Sequence, residues 1–287
     1  MTSAGRPSKA GDDRILPVTR WVAVFIIPFL VVADVLLYAF PTRAGELFAW
    51  AIAPPLSAYL LASAYLGGVW FFLRVATVRG WHRVRHGFPA IVLFAGALLV
   101  ATLLHLDRFS HNLSFGVWLT LYATTPFIIA VLAVVQAPRD PGIPDAADAV
   151  IAGFARIGLA LIGISVFAFG AIMFAAPEFA VSFWAWKLTP LTSQVLGAVL
   201  SLTGVVNAAL LWDSRASSFR ILFQAQLLSL SAIALSLIAG RDDLLWDRPM
   251  TPIFIGVMVV GLGLYGGFVA WCEFSLRRAA ASRVTVA

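Results

Sequence analysis

Long continuous apolar runs alternate along the chain with short polar stretches rich in Arg, Pro and Gly. The runs lie near 20–40, 55–75, 88–106, 114–136, 152–175, 191–212, 219–239 and 252–274. Each holds about 20 residues, enough as a helix to cross a hydrocarbon core of about 30 Å. The pattern therefore predicts eight transmembrane helices. A membrane barrel would need apolar and polar residues in alternation, and these runs do not alternate. The predicted fold class is all-α, a polytopic integral membrane protein.

The segments between runs carry a repeat, F/A-P-x-x-A-x-x-x-x-A-W-x-I/L-x-P-x-x-S, at residues 40–57 and again at 176–193. Over 41–70 and 177–206, eleven of thirty positions are identical at an offset of 136. Pro41 matches Pro177, Trp50 matches Trp186, Pro54 matches Pro190, Ser57 matches Ser193 and Gly68 matches Gly204. Such self-similarity predicts two tandem four-helix repeats. An even number of helices per unit gives both units the same orientation, related by a pseudo-two-fold along the membrane normal. Parallel repeats of this kind occur in some transporters, whereas the inverted-repeat plan is closed to this chain. The predicted organisation is a cytoplasmic tail at 1–18, a first repeat at 19–136, a cytoplasmic linker at 137–150, a second repeat at 151–275 and a tail at 276–287. Pro138, Pro141 and Pro144 mark the linker, and Asp145 and Asp148 stand near the next helix start. The first run is too long for a signal-peptide core and lacks a small-x-small cleavage site, so it is read as a retained helix.

Composition excludes a soluble domain of ordinary kind: 61% of residues are hydrophobic, 12% are charged, and mean hydropathy is +0.93. Charge then sets orientation. With the N-terminus inside, fifteen of the twenty Lys and Arg residues fall on the inner side, leaving Arg43, Arg108, Lys187, Arg241 and Arg248 outside. This satisfies the positive-inside rule and places both termini in the cytoplasm. The net charge of +6 is the rim of arginine that faces anionic headgroups, and it calls for no nucleic-acid partner. Arginine far outnumbers lysine, as in proteins of GC-rich bacteria; the expected location is the bacterial plasma membrane. Cys272 stands alone, so neither an intrachain disulfide nor a Cys-rich metal site is available. No phosphate-loop, H-E-x-x-H, G-x-S-x-G or C-x-x-C motif is present, and no cofactor is predicted.

Three groups of residues are candidates for chemistry. Asp34 lies about fourteen residues into the first helix, where a carboxylate is costly unless it is protonated, paired or wet; it marks a transport or proton pathway. Its counterpart in the second unit is Gly170, so its role is performed once per chain. At the outer ends of helices three and seven, His105, Asp107, Arg108 and His111 form one polar string, with Arg241, Asp243 and Asp247 as its repeat counterpart. These form an interfacial salt-bridge cluster, with Asp107 and Asp243 opposite Arg108 and Arg241. His105, Asp107 and His111 are also the weak candidates for a metal, although the run crosses a helix end and its geometry is unconstrained. The third group is the pair of aromatic outer loops, with Trp50 and Pro54 in one and Trp186 and Pro190 in the other. Tryptophan at headgroup level predicts an interfacial aromatic belt, and two lids over a central cavity are the alternative.

Remaining charges read as anchors. Arg20 and Arg156 match across the repeat, as do Arg79 and Arg215, and are expected to snorkel to the headgroups. His82 and His86 are expected to touch headgroups as well. Eight helices in two halves resemble haem A synthases, whose paired histidines sit within helices of both halves. Here His82, His86, His105 and His111 all lie in the first half at helix ends, so that function does not carry over.

Three functions remain. A small-solute or ion transporter, coupled to protons through Asp34 in a cavity between the halves, is preferred. The others are a non-catalytic scaffold or accessory subunit and a metal-dependent enzyme on the outer face. Expected partners are the lipid bilayer, a small solute or ion, and a second copy or a partner subunit.

Overall fold

The computed structural model describes residues 12–144 and 148–284. Most of the expected tail at 1–18 and Asp145, near the expected helix start, lie outside the described residues. Ten α-helices run through the rest: α1 (Pro17–Ala39), α2 (Ala44–Leu47), α3 (Pro55–Thr77), α4 (Gly87–Leu104), α5 (Leu113–Gln136), α6 (Gly153–Ala175), α7 (Pro177–Phe183), α8 (Pro190–Ala208), α9 (Ala216–Ala239) and α10 (Met250–Val284). All but α2 and α7 are long and apolar enough to cross a membrane, which makes eight among the described residues.

Helix ends follow local chemistry. Pro17, Pro55 and Pro190 open helices, where a missing N–H costs nothing. Pro41 and Pro177 stand two positions after the last residues of α1 and α6, which they prevent from continuing. The Asn112 side chain accepts from the Phe115 N–H at 2.8 Å and caps α5; Thr189 caps α8 through Thr192 at 3.1 Å. The cap of α3 comes from far along the chain, with Asp243 accepting from the Leu56 N–H at 3.0 Å.

Helix α1 packs along α3, α6 along α8, α4 along α5 and α9 along α10; α3 also packs on α9, and α4 on α8. Burial separates centre from circumference. In their most apolar windows 61% of α3 and 56% of α8 are buried, against 17% of α1 and 11% of α10. Large apolar side chains such as Trp21, Phe25, Phe127, Phe154 and Leu264 point outward from the peripheral helices. An outside as greasy as the inside suits a bilayer and not water.

The end of the molecule where α1 begins is termed here the terminal face, and the end carrying α2 and α7 the loop face. Isolated β-bridges tie each. Arg14 pairs with Gly80 and Val150 with Arg215 on the terminal face; Trp50 pairs with Phe109 and Trp186 with Leu244 on the loop face. The residues just before α1, expected in a loose tail, are pinned: the Ile15 N–H donates to the Arg79 carbonyl at 2.9 Å and the Ile15 side chain is buried.

Candidate functional site

Asp34 sits on α1, half-buried, with Oδ1 covered and without a hydrogen-bond partner. One turn further along α1, Tyr38 faces the same way. Its ring stacks on Tyr59 of α3, with centroids 5.6 Å apart and planes 15° apart, and its hydroxyl is covered beside Ser236 of α9. Ser236 gives its own proton to the Ala232 carbonyl at 2.8 Å. Trp70 Nε1 and Arg74 Nε of α3 are also covered and unpartnered, as is Gln226 Nε2 of α9, whose Oε1 accepts from the Tyr265 hydroxyl of α10. Buried polar groups without partners are rare in folded proteins, so the covered, unpaired oxygen of Asp34 marks a place for water or a ligand.

The seam between α6 and α8, at the sequence offset of 136 positions, is built differently. Gly170 stands where Asp34 would be, and a Cβ on it would lie 2.8 Å from the Gly197 carbonyl oxygen; a Cβ on Gly197 would lie 2.4 Å from that of Gly170. Backbone meets backbone there, and α6 and α8 leave no room between them. The α1–α3 seam holds a carboxylate and Leu61 at those two positions.

On the loop face the aromatic residues are not a headgroup belt. Trp50 and Trp186 are 2% and 0% exposed, packed into the protein with Phe48, Phe109 and Trp118 in one cluster and Trp184 and Phe254 in the other. Tertiary contacts at the α2 and α7 turns absorb the rings that lipid was expected to hold. Trp186 donates to Ser57 Oγ on α3 at 2.9 Å, while Trp50 Nε1 has no partner. Pro54 and Pro190 stand where α3 and α8 begin, as expected.

The loop-face polar residues disperse. His105 Nε2 meets Gln194 Oε1 at 3.0 Å, and Gln194 donates to the Phe174 carbonyl at 3.2 Å. Asp107 and Arg108 pair at 3.0 Å as expected, both exposed, and His111 is exposed against Phe115. Arg241, expected opposite Asp243, is instead beside Asp242 at 3.7 Å, because Asp243 turns inward to cap α3. Asp247 borders a cavity of about 330 Å³ lined by Ser182, Phe183, Arg248, Pro249, Met250 and Ile253, all of the second half. Among the described residues no group of three or more His, Cys, Asp or Glu is arranged to hold a metal ion.

The terminal face holds an ion-pair network much wider than the Arg215–Asp213 pairing that the sequence suggests. Arg215 gives Nη1 and Nη2 to the two oxygens of Asp140, each at 2.7 Å, and Nε and Nη2 to Asp213 at 2.9 and 2.6 Å. Arg85 also binds Asp140, and His86 donates from Nε2 to Asp213 at 2.9 Å while stacking on Phe219. The Asp140 side chain is 0% exposed and that of Arg215 5%. Two guanidinium groups against two carboxylates leave no net charge. Burial alone would push the Asp140 carboxyl up, but Arg215, the Gly142 N–H and Arg85 together hold it at about 2. Asp213 is driven down in the same way, against its burial, by His86 and Arg215. Burial keeps His86 below the usual imidazole range, which the two arginines reinforce and Asp213 opposes. The only sequence signal was Asp213 two positions before Arg215; Asp140 is 75 positions away.

Other expected headgroup contacts also turn inward. His82 is 4% exposed and meets Asp13 at 2.5 Å. Arg20 donates to the carbonyls of Ala76 and Val78 at 2.8 and 2.5 Å, and Arg156 to those of Leu210 and Leu211 at 2.8 and 3.1 Å. Both therefore close the last carbonyls of a central helix, where positive charge is favoured. Arg220 takes Glu273, at 2.7 and 2.6 Å.

The architecture is that of a helical multi-pass membrane protein. No family model matches the chain, and no curated protein or solved structure matches it.

Proposed function

We propose that this chain is a tandem pair of four-helix units that works as a small-solute or ion transporter, coupled to protons through Asp34. The units, 19–136 and 151–275, are related by a pseudo-two-fold along the membrane normal, and both termini lie in the cytoplasm of a bacterium. Recurrence of the bridges supports the duplication: Arg14–Gly80 returns as Val150–Arg215 and Trp50–Phe109 as Trp186–Leu244, at offsets of 135 or 136 positions. So does the shared bonding of Arg20 and Arg156 to the end of the neighbouring central helix.

The observation that carries transport is Asp34 itself, an acid inside an apolar helix with a covered oxygen that nothing donates to. Ionisable groups at such depth mark ion and substrate routes. The enzyme reading loses its support, since His105 is occupied by Gln194 and the other candidates are dispersed. Purified protein in liposomes under a pH gradient tests the proposal. Asp34→Asn is expected to abolish proton flux while His105→Ala leaves it intact. Loss in His105→Ala with Asp34→Asn unaffected would move the chemistry to the loop face. Indifference to both, with Trp50 or Trp186 changes breaking up an assembly, would make the protein an accessory subunit. Reporter fusions after Arg85 and Arg215 are both expected to report cytoplasm.

A further inference from the structure

In the loop-face half of the bundle, the α1–α3 seam combines one acid with two stacked phenol rings. Asp34 offers a carboxylate oxygen with no donor, and Tyr38, one turn away, lies flat against Tyr59. A carboxylate beside aromatic faces is a recognition element for a cation with an organic body: the acid supplies the counter-charge and the rings supply dispersion and cation–π attraction. The seam lacks what other substrate classes need. A desolvated Ca²⁺ takes six to eight oxygen ligands, and the described residues hold no cluster of metal-ligating side chains. An anion would meet Asp34 as a like charge.

Access also separates this seam from its counterpart. Asp34 is only half-buried on α1, whose flanks Val31, Val32 and Val35 are exposed toward the lipid side. At the equivalent position α6 and α8 are closed by the Gly170–Gly197 backbone contact. One of two similar seams therefore carries charge and aromatic surface on an exposed peripheral helix, and the other is sealed.

We propose that the α1–α3 seam binds an amphipathic organic cation that enters laterally from the bilayer, its charge on Asp34 and its apolar or aromatic body against Tyr38 and Tyr59. This rests on the transport reading for its use and names the substrate class of that same site.

The test is equilibrium binding of tetraphenylphosphonium to the full-length protein in lipid nanodiscs, with tetraphenylborate as a probe of the same shape and opposite charge. Wild type is expected to bind the cation and not the anion. Asp34→Asn is expected to weaken cation binding at least about tenfold, and Tyr59→Leu by several-fold. Asp34→Glu, which keeps the charge, is expected to retain binding and so separates loss of the site from loss of fold. Absence of cation binding by wild type, equal binding by Asp34→Asn, or equal binding of tetraphenylborate overturns the proposal. Binding that depends on Asp34 without any flux in liposomes upholds the site and overturns the transport reading alone.

Discussion

A buried charge is stable only with its partner in place, and Asp140 shows the consequence most plainly. Its side chain is fully covered and held by Arg215 and Arg85, so removing it strands guanidinium charge inside the protein. Asp140→Asn is expected to cost about 3–5 kcal/mol, read as a lower Tm of the purified protein. The pH dependence has a definite sign. The folded carboxyl titrates at about 2, below the ordinary aspartate value of 3.8, so its contribution is complete above that ordinary value and is lost as pH falls toward 2. The Tm difference between wild type and Asp140→Asn should therefore be constant above about pH 5 and shrink below pH 4. The two central tryptophans make a second contrast. Trp186→Phe leaves Ser57 Oγ buried without its donor and should cost about 1–3 kcal/mol, whereas Trp50→Phe removes an N–H that had no partner and should cost less. Equal losses at the two positions would show that ring packing, not the hydrogen bond, decides.

At the scale of elements, glycine positions sort by what lies beside them. A Cβ on Gly197 would meet the Gly170 carbonyl oxygen at 2.4 Å, so Gly197→Ala should push α8 from α6 and lower stability by about 1–3 kcal/mol. Gly263 on α10 has nothing within 4 Å, and Gly263→Ala should leave Tm unchanged or raise it through helix propensity of about 1 kcal/mol. Thermal unfolding of the two variants side by side checks both signs. The elements themselves were legible in the sequence. Apolar runs set their number, and prolines set their ends: α1 stops at Ala39 before Pro41 and α6 at Ala175 before Pro177. Which face of each element turns inward was not legible. A tryptophan at headgroup depth satisfies its ring either in lipid or in protein, and only the fold of the α2 and α7 turns chose protein for Trp50 and Trp186. Arg20 and Arg156 were misread as lipid anchors for the same reason, since the carbonyls they serve belong to helices 54 to 58 positions away. Asp34 was legible because an acid in an apolar run stands out without any tertiary information; its stacked neighbours were not.

For the whole molecule, the linker is more than a tether. It brings Asp140 from the end of the first proposed unit to Arg215 at the entry of α9, and Asp148 accepts from the Ser217 N–H at 2.9 Å near the start of the same helix. The segments before and after 137–150 also meet at α3 on α9 and α4 on α8, through Trp186 on Ser57, His105 on Gln194 and His86 on Asp213. Every one of these contacts joins a residue before 137 to one after 150, so the proposed units have more than covalent continuity to hold them together. Expressed as two chains divided after Pro144, the halves should assemble in one membrane and copurify, because the cut leaves Asp140 on the first chain and Arg215 on the second. Asp140→Asn in the divided protein should then lower the recovered complex far more than it lowers recovery of the intact chain, where the tether keeps the halves at high effective concentration. Halves that accumulate but never copurify would mean that the interface depends on the linker, and the two-unit description would fail with it.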